Sequence, residues 1–209
     1  MSRDGGARSR SSDEGKNKKP YSARLLNWMG VNTSGTVDYI LEWVDVLVLA
    51  GVLAWLIMTF ITVRMTVPTG SMKPTIRPGD SFFVDKVSYY FRQPKRGDVI
   101  VFWHEEAEGG RTRYVKRLIG KEGDKVAIKD GDLYLDGQKM SGPEFDRRYW
   151  AAGKYGSSPI TVPEDSYFVL GDNSADSYDS RYWGFVPESN FIGEPYLRVW
   201  PPGRFGLIN

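Results

Sequence analysis

Eighteen consecutive uncharged residues, Val46 to Val63 (VLVLAGVLAWLIMTFITV), constrain this chain more than any other segment. As a helix the run rises about 27 Å, close to the roughly 30 Å hydrocarbon core of a bilayer. It is apolar on every face rather than along one stripe, which argues against a core helix of a soluble domain. Trp43 and Val44 can extend it, leaving Asp45 near one interface and Arg64 at the other. It is too long and begins too deep in the chain for a cleaved leader, and no small-x-small site follows it. No second run of this kind occurs, so a single transmembrane helix is expected over residues 36–64.

Residues 1–20 are Gly, Ser, Arg, Lys and Asp with almost nothing apolar, and residues 1–35 are expected to form a disordered basic tail. Residues 1–25 hold seven basic and three acidic side chains, leaving 28 − 7 = 21 basic and 26 − 3 = 23 acidic elsewhere. The net charge of +2 therefore belongs to the tail, and it is too small to argue for a nucleic-acid partner. The tail can lie solvated or against anionic headgroups. Close to the span only Arg24 precedes it, whereas Arg64, Lys73 and Arg77 follow. A cytoplasmic N-terminus rests instead on the short basic tail as a whole, since a large C-terminal domain crosses regardless of charge. The chain has no cysteine, which excludes a disulfide framework, a thiol nucleophile and a Cys-ligated metal.

Residues 65–209 read as an all-β domain of coiled or barrel-like antiparallel sheets. The segments 81–91, 97–103, 111–120, 124–137, 166–172 and 193–200 are rich in β-branched and aromatic residues and are separated by Pro, Gly and Asp. Asp130-Gly131 between two such runs is a strong hairpin signal. The overall class is mostly β, with one N-terminal membrane helix.

A candidate nucleophile sits just past the span. In Thr69-Gly70-Ser71-Met72-Lys73-Pro74-Thr75, Gly70 permits a close backbone approach, and Pro68 and Pro74 forbid a helix through the serine. Such a serine is often only a turn former, and it needs a base. The single histidine, His104, lies in the acidic, Gly-ended stretch Phe102 to Gly110, which reads as an exposed hairpin loop. Lys73 lacks the S-x-x-K spacing. Lys116 is better placed, on a strand with apolar neighbours, where alternation puts Lys116 and Arg117 on opposite faces. At a pKa of about 10.4 roughly one lysine in 2,500 is neutral at pH 7, and at about 8.5 roughly one in 30. That change corresponds to about 2.6 kcal/mol, within reach of desolvation. By its residues alone Lys116 reads more readily as a snorkelling strand lysine than as a base. The stretch Gly171 to Gly184 is dense in hydroxyls and carboxylates and carries Arg181. It reads as a hydrogen-bonded loop, without the spacing of a calcium loop.

Taken in order, these windows resemble the bacterial type I signal peptidases. The carriers are Ser71-Met72-Lys73-Pro74-Thr75, Gly97-Asp98-Val99-Ile100-Val101-Phe102, Tyr114-Val115-Lys116-Arg117 with Gly120 and Gly123-Asp124, and Gly171-Asp172-Asn173 with Ser177, Asp179, Ser180 and Arg181. The resemblance implies Ser71 as nucleophile, Lys116 as general base, and Ser177 as the residue orienting the lysine. It implies an oxyanion hole from the Ser71 N–H and the Thr69 hydroxyl, and an Asp179–Arg181 ion pair supporting the loop. It further implies a small-residue pocket at Val67, Pro68, Ile76, Tyr114 and Val115, and no metal or cofactor. The partners implied are the bilayer and signal peptides of exported preproteins, cut after small-x-small sites and bound as an added strand. The location implied is the bacterial cytoplasmic membrane, with the catalytic domain outside. Two departures stand out: Ser174 replaces the arginine that follows Gly-Asp-Asn, and Glu122 precedes Gly123-Asp124 where many members have proline. A peptidase with a narrow substrate and a non-enzymatic tethered β-domain remain open on the residues alone.

Overall fold

A computed structural model of the chain describes residues 19–31, 35–57 and 62–208. The chain divides into two compact units, Met1–Trp55 and Leu56–Asn209.

The first unit holds helix α1 (Tyr21–Trp28) and all but the last residue of helix α2 (Thr36–Leu56). Among the described residues, α2 alone is long and apolar enough to cross a membrane, with a mean hydropathy of 1.9. It buries none of its residues in the protein. At about 1.5 Å per residue its 21 residues span about 31 Å. The expected span differs at its far end: Thr62 to Arg64 are already strand, because β-branched Thr62 and Val63 pair with Asp85 and Val84. The expected disorder over residues 1–35 also needs correction. Residues 1–18 lie outside the described residues, but Tyr21–Trp28 is helical. Pro20 stands at its N-cap, Ala23 is buried, and the Ser22 N–H donates to the Asp45 carboxylate at 3.1 Å.

The second unit is the β domain. Its strands are β1 (Thr62–Thr66), β2 (Ser81–Asp85), β3 (Val99–Glu105), β4 (Arg111–Lys121), β5 (Lys125–Lys129), β6 (Asp132–Leu135), β7 (Gln138–Lys139), β8 (Ile160–Thr161), β9 (Ser166–Leu170), β10 (Val186–Pro187), β11 (Phe191–Trp200) and β12 (Gly206–Leu207). They form two antiparallel sheets. The larger runs β1-β2-β11-β3-β4-β9-β10 with β12 added on β11, and the smaller runs β7-β6-β5-β8. Both are open rather than closed into a barrel.

Strand β4 is an interior strand between β3 and β9, and the core lies on both of its faces. Val115 joins Val67, Met72, Ile76, Phe82 and Val101 in one cluster. Leu118 joins Ile100, Phe102 and Val169 in another. A third cluster, with Ile119, Val126, Leu133 and Phe168, packs the smaller sheet. Each fully buried Phe, Ile or Leu contributes roughly 1.5–3 kcal/mol. Alternation therefore has no solvent face to use in mid-strand, and Lys116 and Arg117 are both enclosed.

Asp130 and Gly131 form the expected hairpin between β5 and β6, with φ of 53° and 89°. Two expectations fail locally. The 81–91 segment does not run on as one strand. The Asp85 carboxylate accepts from the Val87 and Ser88 N–H groups at 2.7 and 3.1 Å, which ends β2 and starts a helical turn at Ser88–Phe91. His104 is not in a loop either. It pairs with Thr112 within β3–β4, and the turn falls beyond it, closed by the Glu106 N–H to the Gly110 carbonyl at 2.8 Å.

Candidate active site

The serine turn leaves β1 and returns to β2 without regular structure. Buried Met72 and Ile76 anchor it, and Val67 and Asp80 close its base through a backbone bond of 3.1 Å. Its apex is held from a residue far along the chain. The Asn173 N–H donates to the Ser71 carbonyl at 2.9 Å, and Asn173 Nδ2 donates to the Gly70 carbonyl at 3.2 Å. The Thr75 hydroxyl donates to Asp172.

Lys116 stands opposite Ile100 on β4, and its Nζ donates to Ser71 Oγ at 2.7 Å. Lys116 is 4% exposed, and its Nζ lies 5.5 Å from the centre of the Tyr114 ring. Burial pulls its pKa down to about 8, against the opposing pull of Asp179 and Asp172. Ser71 is buried as well. The two residues thus meet at the floor of a cleft of about 830 Å³.

The other expected site residues are distributed unevenly. Thr69 lines the cleft, with its hydroxyl 3.5 Å from Ser71 Oγ. Val67, Pro68, Tyr114 and Val115 line it too, whereas Ile76 lies beneath them in the core. Ser177 lines the cleft, but its buried Oγ has no hydrogen-bond partner among the described residues, so the contact with Lys116 is not formed. The hydroxyl sits against Gly171 instead. A Cβ on that glycine would fall 2.1 Å from Ser177 Oγ and 2.5 Å from the Ser71 carbonyl oxygen.

Asp179 and Arg181 are fully buried and paired at 2.8 Å. Asp179 also accepts from the Gly171 N–H at 3.0 Å. Arg181 donates to the carbonyls of Trp150, Ser174 and Ser177, which fixes the loop's course. The departure at Ser174 has a local use: its hydroxyl accepts from Arg181 Nη1 at 2.8 Å and from the Trp150 N–H at 2.9 Å.

A second buried charge cluster was not foreseen. Arg117 grips Asp172 through two bonds of 2.8 Å, and Arg147 approaches the same carboxylate at 3.2 Å. With Thr75 this ties β4, the Gly171–Asn173 loop and the serine turn together. The motif contained Arg117 and Asp172, but nothing in the sequence paired them.

An antiparallel β domain with a hydroxyl and a pKa-lowered amine at the floor of a cleft has the parts of a hydrolase. Residues 40–200 match the family described as signal peptidase, peptidase S26. A probable signal peptidase I-2 of Synechocystis sp. is 39% identical over 80% of this chain and 77% of its own length. The signal peptidase I of Leptolyngbya laminosa is 37% identical over 81% of this chain and 84% of its own. A solved signal peptidase I from Enterococcus faecalis V583 aligns with 49% of this chain and 97% of its own, at 35% identity and a TM-score of 0.40. The chain belongs to the signal peptidase family, peptidase S26, and is a peptidase.

Proposed function

We propose that this chain is a membrane-anchored serine endopeptidase that removes signal peptides from exported preproteins after small-x-small sites, with Ser71 as nucleophile and Lys116 as general base. The observation that carries this reading is the 2.7 Å contact between Lys116 Nζ and Ser71 Oγ, made by a buried amine whose pKa is about 8. The substrate lies as an added strand along the cleft edges at Val67-Pro68 and Tyr114-Val115, with a small side chain in the pocket between them.

In the neutral form Lys116 Nζ takes the Ser71 proton as Oγ attacks the scissile carbonyl. The Ser71 N–H and the Thr69 hydroxyl stabilise the oxyanion, and one such donor is typically worth ~10²–10³ in rate. Lys116 then delivers the proton to the departing amine, leaving an ester on Ser71. Water, deprotonated by Lys116, hydrolyses that ester. Ser177 acts as the orienting hydroxyl after a rotation about χ1, and Asp179–Arg181 holds its loop. In this reading α2 spans the bacterial cytoplasmic membrane once, the basic tail stays in the cytoplasm, and the β domain from Thr62 onward lies outside.

Ser71→Ala and Lys116→Met, in detergent-solubilised full-length protein, are each expected to abolish processing of a preprotein ending in Ala-x-Ala. Retained cleavage by either variant overturns the assignment.

A further inference from the structure

Tyr114, one wall of the cleft, is braced from behind by other rings. Its ring lies 6.3 Å from Phe102 and 4.6 Å from His104. Both of those rings also face Trp183, at 6.0 and 4.7 Å. The four rings close a circuit of contacts. Strand register explains three of the members. Phe102 pairs with Tyr114 and His104 with Thr112, so Phe102, His104 and Tyr114 share one face of the β3–β4 hairpin. Trp183 arrives from elsewhere, at the end of the helical turn Ser180–Trp183 that follows Asp179.

Tyr114 lines the cleft, whereas Phe102, His104 and Trp183 do not, so those three stand behind it. Fully buried Phe102 fills the inner side of the circuit. Half-buried His104 fills the outer side, wedged between Tyr114 and Trp183. A further hold on Tyr114 is its hydroxyl, which donates to Glu106 at 3.4 Å, near the limit for such a bond. Without the imidazole, the outer half of the tyrosine ring would back onto a gap.

We propose that His104 is a positioning residue for substrate specificity: its ring, wedged between Trp183 and Tyr114, fixes the tyrosine as a rigid wall of the small-residue pocket. The inference rests on the peptidase reading above and adds to it a residue that neither touches substrate nor acts as a base. A rigid wall matters because one extra methylene in a pocket is discriminated only about 10–200-fold, and a yielding wall lowers that further. An aromatic contact of this kind is worth a factor of roughly two to ten.

The test uses full-length protein in detergent with two peptide substrates, carrying Ala or Val immediately before the scissile bond. His104→Ala is expected to raise KM for the Ala substrate about three- to tenfold, with kcat within about twofold of wild type. The Ala-over-Val preference in kcat/KM should shrink by a similar factor. His104→Phe, which restores a ring in the wedge, should return both to near wild type. Unchanged preference in His104→Ala overturns the proposal. So does a fall in kcat with a displaced pH profile, which would place the histidine's effect on Lys116, and so does a failure of His104→Phe to restore discrimination. Failure of wild type to cleave the Ala substrate would instead refute the proposed function.

Discussion

The burial that lowers the pKa of Lys116 to about 8 from 10.5 implies a cost to the folded protein as well as a benefit to the proposed chemistry. At pH 7 roughly one molecule in ten carries the neutral amine, against roughly one in 3,000 for a solvated lysine. The difference corresponds to about 3 kcal/mol. Because the folded-state pKa lies below the unfolded value, the unfolded chain binds more protons between pH 8 and 10.5. The penalty is therefore fully present below pH 8 and is relieved as pH rises through that window. Lys116→Met, of similar length and uncharged, removes it and forfeits one hydrogen bond to Ser71, worth about 1 kcal/mol. The variant should thus be more stable than wild type by about 2 kcal/mol at pH 7, a rise in melting temperature of roughly 4–8 °C. Thermal unfolding of both proteins from pH 6 to pH 10.5 is the assay. The gap should be constant below about pH 8 and close above it. In parallel, wild-type kcat/KM should climb about tenfold per pH unit up to an apparent pKa of about 8 and then level off. A less stable Lys116→Met, or a gap that ignores pH, would refute burial of the charged amine as the origin of the reactivity proposed for it.

Two further outcomes follow from the loop that clasps the serine turn. Asp172→Asn keeps the shape but strips the buried Arg117 guanidinium of its counter-charge. It should cost about 3–5 kcal/mol, read as a fall in melting temperature on the order of 10 °C, and an unchanged melting curve would refute the role given to this pair. Gly171→Ala drives a methyl group toward Ser177 Oγ and the Ser71 carbonyl. Processing should fall on the order of 100-fold while the far-ultraviolet circular dichroism stays native, and wild-type activity would show that the turn yields freely.

What the sequence disclosed and what it hid divide along a physical line. The hairpin at Asp130-Gly131 was legible because positive φ at both residues is a local demand that few residue types meet. The long apolar helix was legible because an unbroken apolar run declares itself over a whole segment, without reference to the rest of the fold. Ser71 and Lys116 were legible as a pair only through the ordered motifs, since neither residue differs locally from a turn serine or a strand lysine. The end of β2 was missed because a single carboxylate, Asp85, captures two N–H groups and turns the chain before its β-branched and aromatic run is finished. His104 was misplaced because acidic and glycine residues after it resemble a loop, while pairing across to Thr112 and two aromatic neighbours keep it in the strand. The Arg117–Asp172 pair bridges 55 positions of sequence, and only the tertiary fold brings the two together.

The clasp on the serine turn also bears on when the chain becomes dangerous to its neighbours. Both side chains of the proposed dyad have been synthesised by residue 116. Their alignment, however, depends on Asn173 gripping Gly70 and Ser71, on Asp172 meeting Arg117, and on Arg181 bracing the loop from below. A nascent chain that has not yet reached Arg181 therefore holds the two residues of the proposed dyad without these contacts. If the proposed dyad is correct, proteolytic competence would arrive only after the residues up to Arg181 have been made, well after the apolar helix.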